Sequence, residues 1–225
     1  MKESKHKIYS NTGNEEIIRL IPPGAKYILD IGCGDGANAR LLAKANCFVD
    51  GITISEEESK IAKKAMRKVY IHNIEFGLPL ELDVIYDAVI CSHVLEHICY
   101  PEQLLSDIYR ILKSNGALIV ALPNLMHYPS RLQLIKGNFN YMDSGIWDYT
   151  HFRWYTFASG KILLQNAHFT IEIATVSGKL PLNSIFRRIL SEKFSAYLYS
   201  LLIKISKGFF GYQLLYRGIK KTEDA

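Results

Sequence analysis

Short apolar runs alternate with amphipathic stretches through the first half of the chain. Runs such as ALIVAL (117–122) are typical of buried strands, whereas the stretches between the runs space their apolar residues as helices do. The predicted strands are residues 25–32, 47–54, 69–74, 86–93 and 117–122, and the predicted helices are residues 14–21, 37–46, 55–69 and 101–116. This alternation predicts a parallel sheet with helices on both faces.

Capping residues support these boundaries. Ser55 precedes one predicted helix and Glu58 follows three residues later, which is the pattern of a capping box. Pro101 stands at the start of another predicted helix, and Gly116 stands at its end.

The alternation of strands and helices stops in the second half of the chain. Residues 123–155 form a long, polar and aromatic insert, and a loop of that length inside a compact domain is usually functional. We expect this insert to cover the ligand edge of the sheet and to form most of the acceptor site. A helix (156–167), a strand (168–176), an amphipathic helical segment (183–207) and a last strand (209–219) are predicted beyond it, all within a single domain spanning residues 1–225.

Composition is that of a globular protein, with 48% hydrophobic and 22% charged residues among 225. The net charge of +5 is uneven, because Lys179–Lys221 holds nine basic residues and one acidic residue, a surplus of eight that leaves −3 elsewhere. This basic third is interpreted as a solvated face, the alternative being a surface for an anionic partner. Segment 183–207 is expected to pack on the sheet, although a membrane surface would also suit it.

The cysteines and the hydropathy indicate a cytoplasmic protein. The four cysteines show no C-x-x-C spacing, so we expect reduced thiols. No apolar run approaches the ~18 residues of a membrane span, and the polar start MKESKHKIYSNTGNEE has no apolar core of a secretory signal.

A glycine-rich loop, Asp30–Ala37, follows the first predicted strand, at the edge where such sheets bind ligands. Gly32, Gly34 and Ala37 satisfy the dinucleotide pattern G-x-G-x-x-G/A, with Asp50 at a distance that suits a ribose ligand. That pattern keeps a nicotinamide-dependent oxidoreductase as one alternative.

Charge favours a different ligand. Asp30 and Asp35 would each repel a pyrophosphate by about 1 kcal/mol or more at intermediate dielectric. A ligand with an ammonium and a sulfonium group, such as S-adenosylmethionine, would instead be attracted. The alternative is that Asp35 faces water and that only the glycines matter.

The segments LDIGCGDG and YDAVICSHVLEHICYPEQLLSDIYRILKSNGALIVALPN resemble class I S-adenosylmethionine-dependent methyltransferases, in particular a small bacterial branch with LEH after strand four and PN after strand five. DYTHFRWYTFASGKILLQNAHF resembles a further stretch of that branch. The resemblance implies an α/β, Rossmann-like three-layer sandwich whose seven-stranded, mostly parallel sheet has an antiparallel last strand. It also implies S-adenosylmethionine as cofactor and a small-molecule acceptor, with a hydroxyl oxygen as the expected acceptor atom.

The resemblance also assigns cofactor-binding positions. Thr53 stands where the family usually has an acid that holds both ribose hydroxyls, and a hydroxyl makes one good bond where a carboxylate makes two. Asp50, three residues earlier, is interpreted as unrelated to the ribose. Asn73 and Ile74 match the adenine side, the alternative being that Asn73 simply ends a strand. The other implied positions are Asp30, Gly32, Cys33 and Gly34 at the methionine end, and Ser92 and His93 at the methyl-donor pocket.

A competing motif is H-x-x-E-H at His93–His97, the signature of inverted zinc proteases. That signature needs a long helix, whereas here it begins at a strand end and Pro101 follows closely. Glu172, a conceivable third ligand, lies in a predicted strand. We therefore expect no metal.

Methyl transfer to a hydroxyl needs positioning of the acceptor and removal of its proton, for which a neutral histidine is suited. His97 and His127 are candidates, and His127 follows strand five. Asp148 and His151 lie in an aromatic stretch that is suited to binding a polar ring, with Asp148 or His151 as the base. The alternative is that these aromatic residues hold a lid in place and that His151 is structural.

The acceptor classes left open are a sugar, a glycan precursor and a quinone-like ring. No nucleic acid is expected, because no NPPY-like tetrapeptide follows strand four. A non-catalytic module that binds the cofactor remains a second alternative, and the oligomeric state is open.

Overall fold

The computed structural model describes residues 12–181 and 190–221. The strands are β1 (Tyr27–Ile31), β2 (Phe48–Thr53), β3 (Lys68–Ile71), β4 (Tyr86–Ser92), β5 (Leu112–Pro123), β6 (Phe169–Ser177) and β7 (Gln213–Lys220). The helices are α1 (Glu15–Ile18), α2 (Ala37–Leu41), α3 (Glu56–Ala62), α4 (Pro101–Ile111), α5 (Tyr128–Ile135), α6 (Phe157–Asn166), α7 (Glu192–Ile205) and α8 (Lys207–Phe210), with 3₁₀ turns at Ile74–Phe76 and Leu95–His97.

The strands form one sheet in the order β3-β2-β1-β4-β5-β7-β6. Strands β1 to β5 are parallel, and β7 runs antiparallel between β5 and β6. Asp30 at the end of β1 is in register with Gly51 of β2 and Ile90 of β4, so the carboxyl ends of these strands meet at one edge. The predicted α/β fold with an antiparallel last strand is confirmed.

Apolar side chains are buried on both faces of the sheet. Successive side chains of a strand point to opposite faces, and accordingly Leu29 and Ile28 belong to two different core clusters. Helix α4 contributes to the first cluster through Leu104 and Leu105, while α3 contributes Ala62 to the second. Burial on both faces explains why the strands appear in the sequence as nearly continuous apolar runs. All four cysteines are free thiols.

Several predicted boundaries were wrong. The helices predicted to reach residues 46 and 69 end at Leu41 and Ala62. The helix predicted to reach residue 116 ends at Ile111, and β5 begins at Leu112, which is fully buried and in register with Tyr86. The last strand begins at Gln213 rather than at residue 209, because Ser206 caps α8 by accepting a hydrogen bond from the amide of Phe209.

The insert at residues 123–155 contains α5 and is tied to the core by backbone hydrogen bonds. The amides of Phe152 and Arg153 donate to the carbonyl of Glu96 at 2.9 and 3.1 Å. An aromatic cluster holds the insert together internally, since the Phe139 ring lies 4.7 Å from Trp147 and 5.5 Å from Trp154. The end of the insert therefore lies against the turn that follows β4.

Of the amphipathic segment predicted at 183–207, residues 183–189 lie outside the described residues, and α7 covers most of the rest. Ile203 packs against the core, as expected. Four apolar side chains of α7 are exposed instead of packing on the sheet: Phe194, Tyr197, Leu201 and Ile205. Among the residues that the structure describes, no helix is long and apolar enough to cross a membrane.

Candidate functional site

The loop after β1 has a backbone that favours glycine. Gly32, Gly34 and Gly36 have φ of +70°, +53° and +84°, which lie in the left-handed region. A Cβ at Gly32 would lie 2.7 Å from Val94 Cγ2, so a side chain there would also collide with the turn after β4. The loop is held to β2 because the amide of Cys33 donates to the carbonyl of Ile52 at 2.9 Å.

Asp30 is fully buried at the end of β1. Its carboxylate accepts hydrogen bonds from Asn38 Nδ2 at 3.2 and 3.4 Å. Burial raises the pKa of Asp30 to about 7, and the hydrogen bond from Asn38 lowers it only in part. The Asp30 carboxyl is thus about half ionised at neutral pH. Asn38 orients it, and the sequence did not single out that residue.

Asp35 differs from both expectations. Both of its carboxylate oxygens accept from Arg40 Nη2 at 3.0 Å, and only 7% of the residue is exposed. Its charge is therefore compensated by Arg40, and it neither faces water nor stands as a free charge beside the loop. The electrostatic argument for a cationic ligand rests on Asp30 alone.

Asp50 is committed to the core. It accepts hydrogen bonds from both Arg67 and the Tyr86 hydroxyl, the latter at 2.9 Å. These partners agree with the interpretation of Asp50 as a structural residue. The oxidoreductase alternative thereby loses its candidate ribose ligand.

A buried carboxylate nevertheless reaches the end of β2. Thr53 Oγ1 donates to Glu58 Oε2 at 2.8 Å and accepts from the amide of Ser55 at 3.2 Å. Thr53 and Glu58 are 4% and 5% exposed. Ser55 caps α3 as predicted, since its Oγ accepts from the amide of Glu58 at 3.2 Å. The capping pattern drew attention to Glu58 in the sequence, but it did not indicate that the carboxylate joins Thr53.

Asn73 follows β3 at the same edge. Its side-chain oxygen accepts from the amide of Glu75 at 3.1 Å and so caps the turn at Ile74–Phe76. The amide of His72 donates to the carbonyl of Thr53 at 2.9 Å, which keeps this turn beside the end of β2. Asn73 thus has the local structural role that the alternative interpretation described, and the adenine-side role of Asn73 and Ile74 stays a prediction.

Ser92 ends β4, His93 follows it, and both lie in a polar network. His93 has φ of +56°, an uncommon value for a residue other than glycine. Its Nε2 lies 2.7 Å from Gln213 Oε1, and its Nδ1 lies 3.2 Å from Glu96 Oε1. Asn14 Nδ2 donates to the same Gln213 oxygen at 2.7 Å and to Ser92 Oγ at 3.4 Å. Burial lowers the pKa of His93, but the hydrogen bond to Glu96, the charge of Glu96 and the hydrogen bond to Gln213 together outweigh it, so the net pKa is raised.

The H-x-x-E-H motif does not form a metalloprotease helix. Leu95–His97 is a single 3₁₀ turn, and His93 precedes it in a left-handed conformation. His97 turns toward the insert, where its Nδ1 lies 3.0 Å from Thr150 Oγ1. The two histidines of the motif therefore have different partners.

The candidate catalytic residues fall into two groups. His127 packs its ring against Tyr128 and Tyr212, with centroids 4.7 and 5.6 Å away, and burial lowers its pKa. His151 lies instead against His97, with ring centroids 4.6 Å apart.

Asp148 and His151 are both buried, at 6% and 8% exposure. Burial raises the pKa of Asp148, but hydrogen bonds from the hydroxyl and amide of Thr150 outweigh it, so the net pKa is lowered. Burial lowers the pKa of His151. His151 is accordingly neutral at neutral pH, and Asp148 is an ionised group that orients Thr150.

The sequence of this chain is similar to those of known methyltransferases. A family model described as a methyltransferase domain matches residues 29–120. The ubiquinone biosynthesis O-methyltransferase of Coxiella burnetii is 27% identical over 136 residues, covering 56% of this chain and 57% of that protein. The chain thus spans little more than half the length of the curated relatives that it matches.

Solved structures share the fold. A SAM-dependent methyltransferase from Archaeoglobus fulgidus superposes with a TM-score of 0.64 at 22% identity, covering 92% of each chain. The magnesium protoporphyrin IX methyltransferase from Synechocystis, whose crystal structure contains SAH, superposes with a TM-score of 0.55 at 18% identity, covering 92% of this chain and 80% of that one.

Proposed function

We propose that this chain, in which residues 29–120 form a class I methyltransferase domain, is an enzyme that transfers a methyl group from S-adenosylmethionine to a hydroxyl oxygen of a small molecule. The observation that carries this proposal is the buried Asp30 carboxylate, which stands directly before the glycine loop with a neutral amide as its hydrogen-bond partner. A buried carboxylate without a cationic partner suits a cationic ligand.

The residues at the sheet edge fit the cofactor. Asp30 complements the ammonium of its methionine end, and the open backbone of Gly32, Cys33 and Gly34 permits close approach. At the ribose, we assign Thr53 together with Glu58, because a carboxylate can accept from two hydroxyls where a lone threonine cannot. The remaining assignments are Asn73 and Ile74 at the adenine, and Ser92 and His93 at the methyl-donor end.

When bound, S-adenosylmethionine supplies an electrophilic methyl group. The chain's own residues then have two tasks, which are to position the acceptor oxygen in line and to take its proton. His127 and His151 are the candidate proton acceptors, since burial keeps both neutral. The lowered pKa of Asp148 makes it a weak base, so we assign it a positioning role through Thr150.

For the acceptor, we favour a hydroxylated ring with an apolar part over a free sugar. The insert exposes apolar side chains, including Ile135 at 81% and Tyr141 at 59% exposure, which suit an apolar partner. The name of the Coxiella burnetii relative, an O-methyltransferase of ubiquinone biosynthesis, supports the same class.

The test is transfer of the methyl group from S-adenosyl-[methyl-³H]methionine to a panel of catechols, hydroquinones, phenols and sugars. We expect label in at least one ring hydroxyl and a rate at least tenfold lower for Asp30→Ala. Asp83→Asn is the matched control, because Asp83 is half exposed and pairs with Lys68 on the surface. Cofactor binding without turnover on any acceptor would favour the non-catalytic module instead.

A further inference from the structure

A cluster of metal-ligating side chains lies between the turn after β4 and the end of the insert. Glu96, His97 and His151 each contribute one ligand-type atom, and these atoms lie within 4.8 Å of one another. Two imidazoles and one carboxylate are a donor set that transition-metal ions favour. None of the roles assigned above uses the three residues as a set.

Glu96 gives an independent sign of a ligand. Its side chain is fully buried, and Oε1 lies 3.2 Å from His93 Nδ1. Oε2 is also buried, and it has no hydrogen-bond partner among the described residues. A buried carboxylate oxygen without a partner is costly, so a group that binds this oxygen would remove the cost.

Hydrogen bonds fix which nitrogen of His97 carries its proton. The Thr150 hydroxyl donates to Asp148 Oδ1 at 2.7 Å. Its oxygen can therefore only accept from His97 Nδ1, which lies 3.0 Å away. His97 thus carries its proton on Nδ1, and Nε2 keeps a lone pair.

The same reasoning applies to His151. Its Nδ1 lies 3.2 Å from the carbonyl oxygen of Ile146, which can only accept a hydrogen bond. Nε2 of His151 therefore also keeps its lone pair. A histidine that donates through one nitrogen to a carbonyl, hydroxyl or carboxylate is the usual arrangement around a bound metal.

We propose that Glu96 Oε2 and the Nε2 atoms of His97 and His151 bind one divalent transition-metal ion. Because two of the three ligands are imidazole nitrogens, Zn²⁺, Co²⁺ and Ni²⁺ should bind in preference to Mg²⁺ and Ca²⁺. The site differs from the H-x-x-E-H signature, because His93 is replaced as a ligand by His151 from the insert. It also replaces the sequence-based expectation that no metal binds.

Three protein ligands leave at least one coordination position for an oxygen of water or of the acceptor. Resting on the proposed function, we assign this position to the acceptor hydroxyl, whose pKa the cation would lower. His151 is then a ligand rather than a base, which leaves His127 as the proton acceptor. The binding of the metal itself does not depend on the transferase activity.

The experiment is titration of the tag-free, EDTA-treated full chain with Co²⁺, followed by its visible absorption, with Zn²⁺ as competitor. We expect one equivalent to bind, and at least tenfold weaker binding by Glu96→Gln and His151→Gln. His72→Gln is the control, because that ring contacts the Gly77 carbonyl outside the cluster. Thr150→Val removes the nearer of two acceptors for His97 Nδ1 and leaves the carbonyl oxygen of residue 150 at 3.3 Å, so it should weaken binding by about tenfold.

Two results of the titrations would overturn the proposal. One is the absence of stoichiometric Co²⁺ or Zn²⁺ binding at millimolar metal, and the other is wild-type affinity in folded Glu96→Gln and His151→Gln variants. If those variants do not fold, X-ray absorption of the zinc-loaded wild type decides, because two imidazole ligands support the site and sulfur ligands contradict it. No step of this test needs cofactor, so its failure is distinct from failure of the proposed transferase.

Discussion

The proposed binding of the cofactor's ammonium group depends on the ionisation of Asp30. Burial raises its pKa to about 7, so the fraction ionised rises from about a tenth at pH 6 to about nine tenths at pH 8. Because the ionised form complements an ammonium group, S-adenosylhomocysteine should bind about tenfold more weakly at pH 6 than at pH 8. Calorimetric titration at both values measures this.

Asp30→Asn is the control for that pH dependence. The pKa of His93, at the same edge, is also raised above its usual value, and that of Cys33 is raised well beyond neutral pH. The contribution of Asp30 is therefore the difference between wild type and Asp30→Asn. An equal pH dependence in the two proteins would contradict the role of Asp30.

Ionisation of Asp30 also affects the free energy of unfolding. Rising pH should strengthen ligand binding but lower the contribution of Asp30 to the stability of the fold. The pKa of Asp30 in the folded protein lies above its ordinary value of 3.8, so the folded state binds more protons between the two values. Its stabilising contribution is complete below about pH 4 and is lost as pH rises through about 7. In urea unfolding without ligand, the free energy of unfolding of Asp30→Asn should therefore fall less between pH 5 and pH 8 than that of the wild type. An equal fall in the two proteins would contradict a raised pKa of Asp30.

In the proposed cofactor site, Glu58 substitutes for the acid missing at Thr53. Glu58→Gln should weaken S-adenosylhomocysteine binding about tenfold, because a neutral amide accepts from the ribose hydroxyls more weakly than a carboxylate. Glu56→Gln, an exposed neighbour in the same helical turn, should change nothing. Thr53→Asp should not tighten binding, since its carboxylate would lie against that of Glu58. Tighter binding by that single variant would contradict the assignment.

At the scale of elements, the glycine loop depends on its close approach to α3. A Cβ at Gly36 would lie 3.1 Å from Ala62 Cα, whereas one at Gly137 would meet nothing within 4 Å, although both residues have positive φ. Gly36→Ala should therefore lower the free energy of unfolding by about 1–3 kcal/mol more than Gly137→Ala. Chemical denaturation measures both variants, and equal losses would show that the contact is unimportant.

The sequence predicted the elements of the sheet well, because both-face burial gives apolar runs that are easy to recognise. It placed the start of β5 late, since Leu112 is buried as a strand residue although it continues the helical pattern of α4. It also placed Asp35 wrongly, because its pairing with Arg40 depends on how the loop closes onto α2. Local patterns do not encode such pairings.

At the scale of the whole molecule, the predicted seven-stranded, mostly parallel sheet with an antiparallel last strand followed from the alternation of elements and from the family resemblance together. The cluster of Glu96, His97 and His151 did not follow from either, because its members come from a turn after β4 and from the distant end of the insert. Only tertiary structure brings them together. The sequence had singled out Glu96 and His97 within one motif, and His151 separately.

Cofactor binding should stabilise the whole described fold, since the residues proposed to bind the cofactor come from β1, β2, β4 and the loops between them. At S-adenosylhomocysteine a hundredfold above its Kd, binding to the folded state alone adds about 2.7 kcal/mol. For a chain of this size the thermal midpoint should rise by about 5–10 °C. Asp30→Ala should show a smaller rise at the same ligand concentration, and a rise equal to that of wild type would contradict the assigned site.

The most direct measurement is calorimetric titration of the wild-type chain with S-adenosylhomocysteine and, in parallel, with NADH. We predict one S-adenosylhomocysteine bound per chain and no heat from NADH. Saturable binding of NADH, or no binding of S-adenosylhomocysteine at millimolar concentration, would contradict the claim that the edge of the sheet at Asp30 holds a cationic methyl donor.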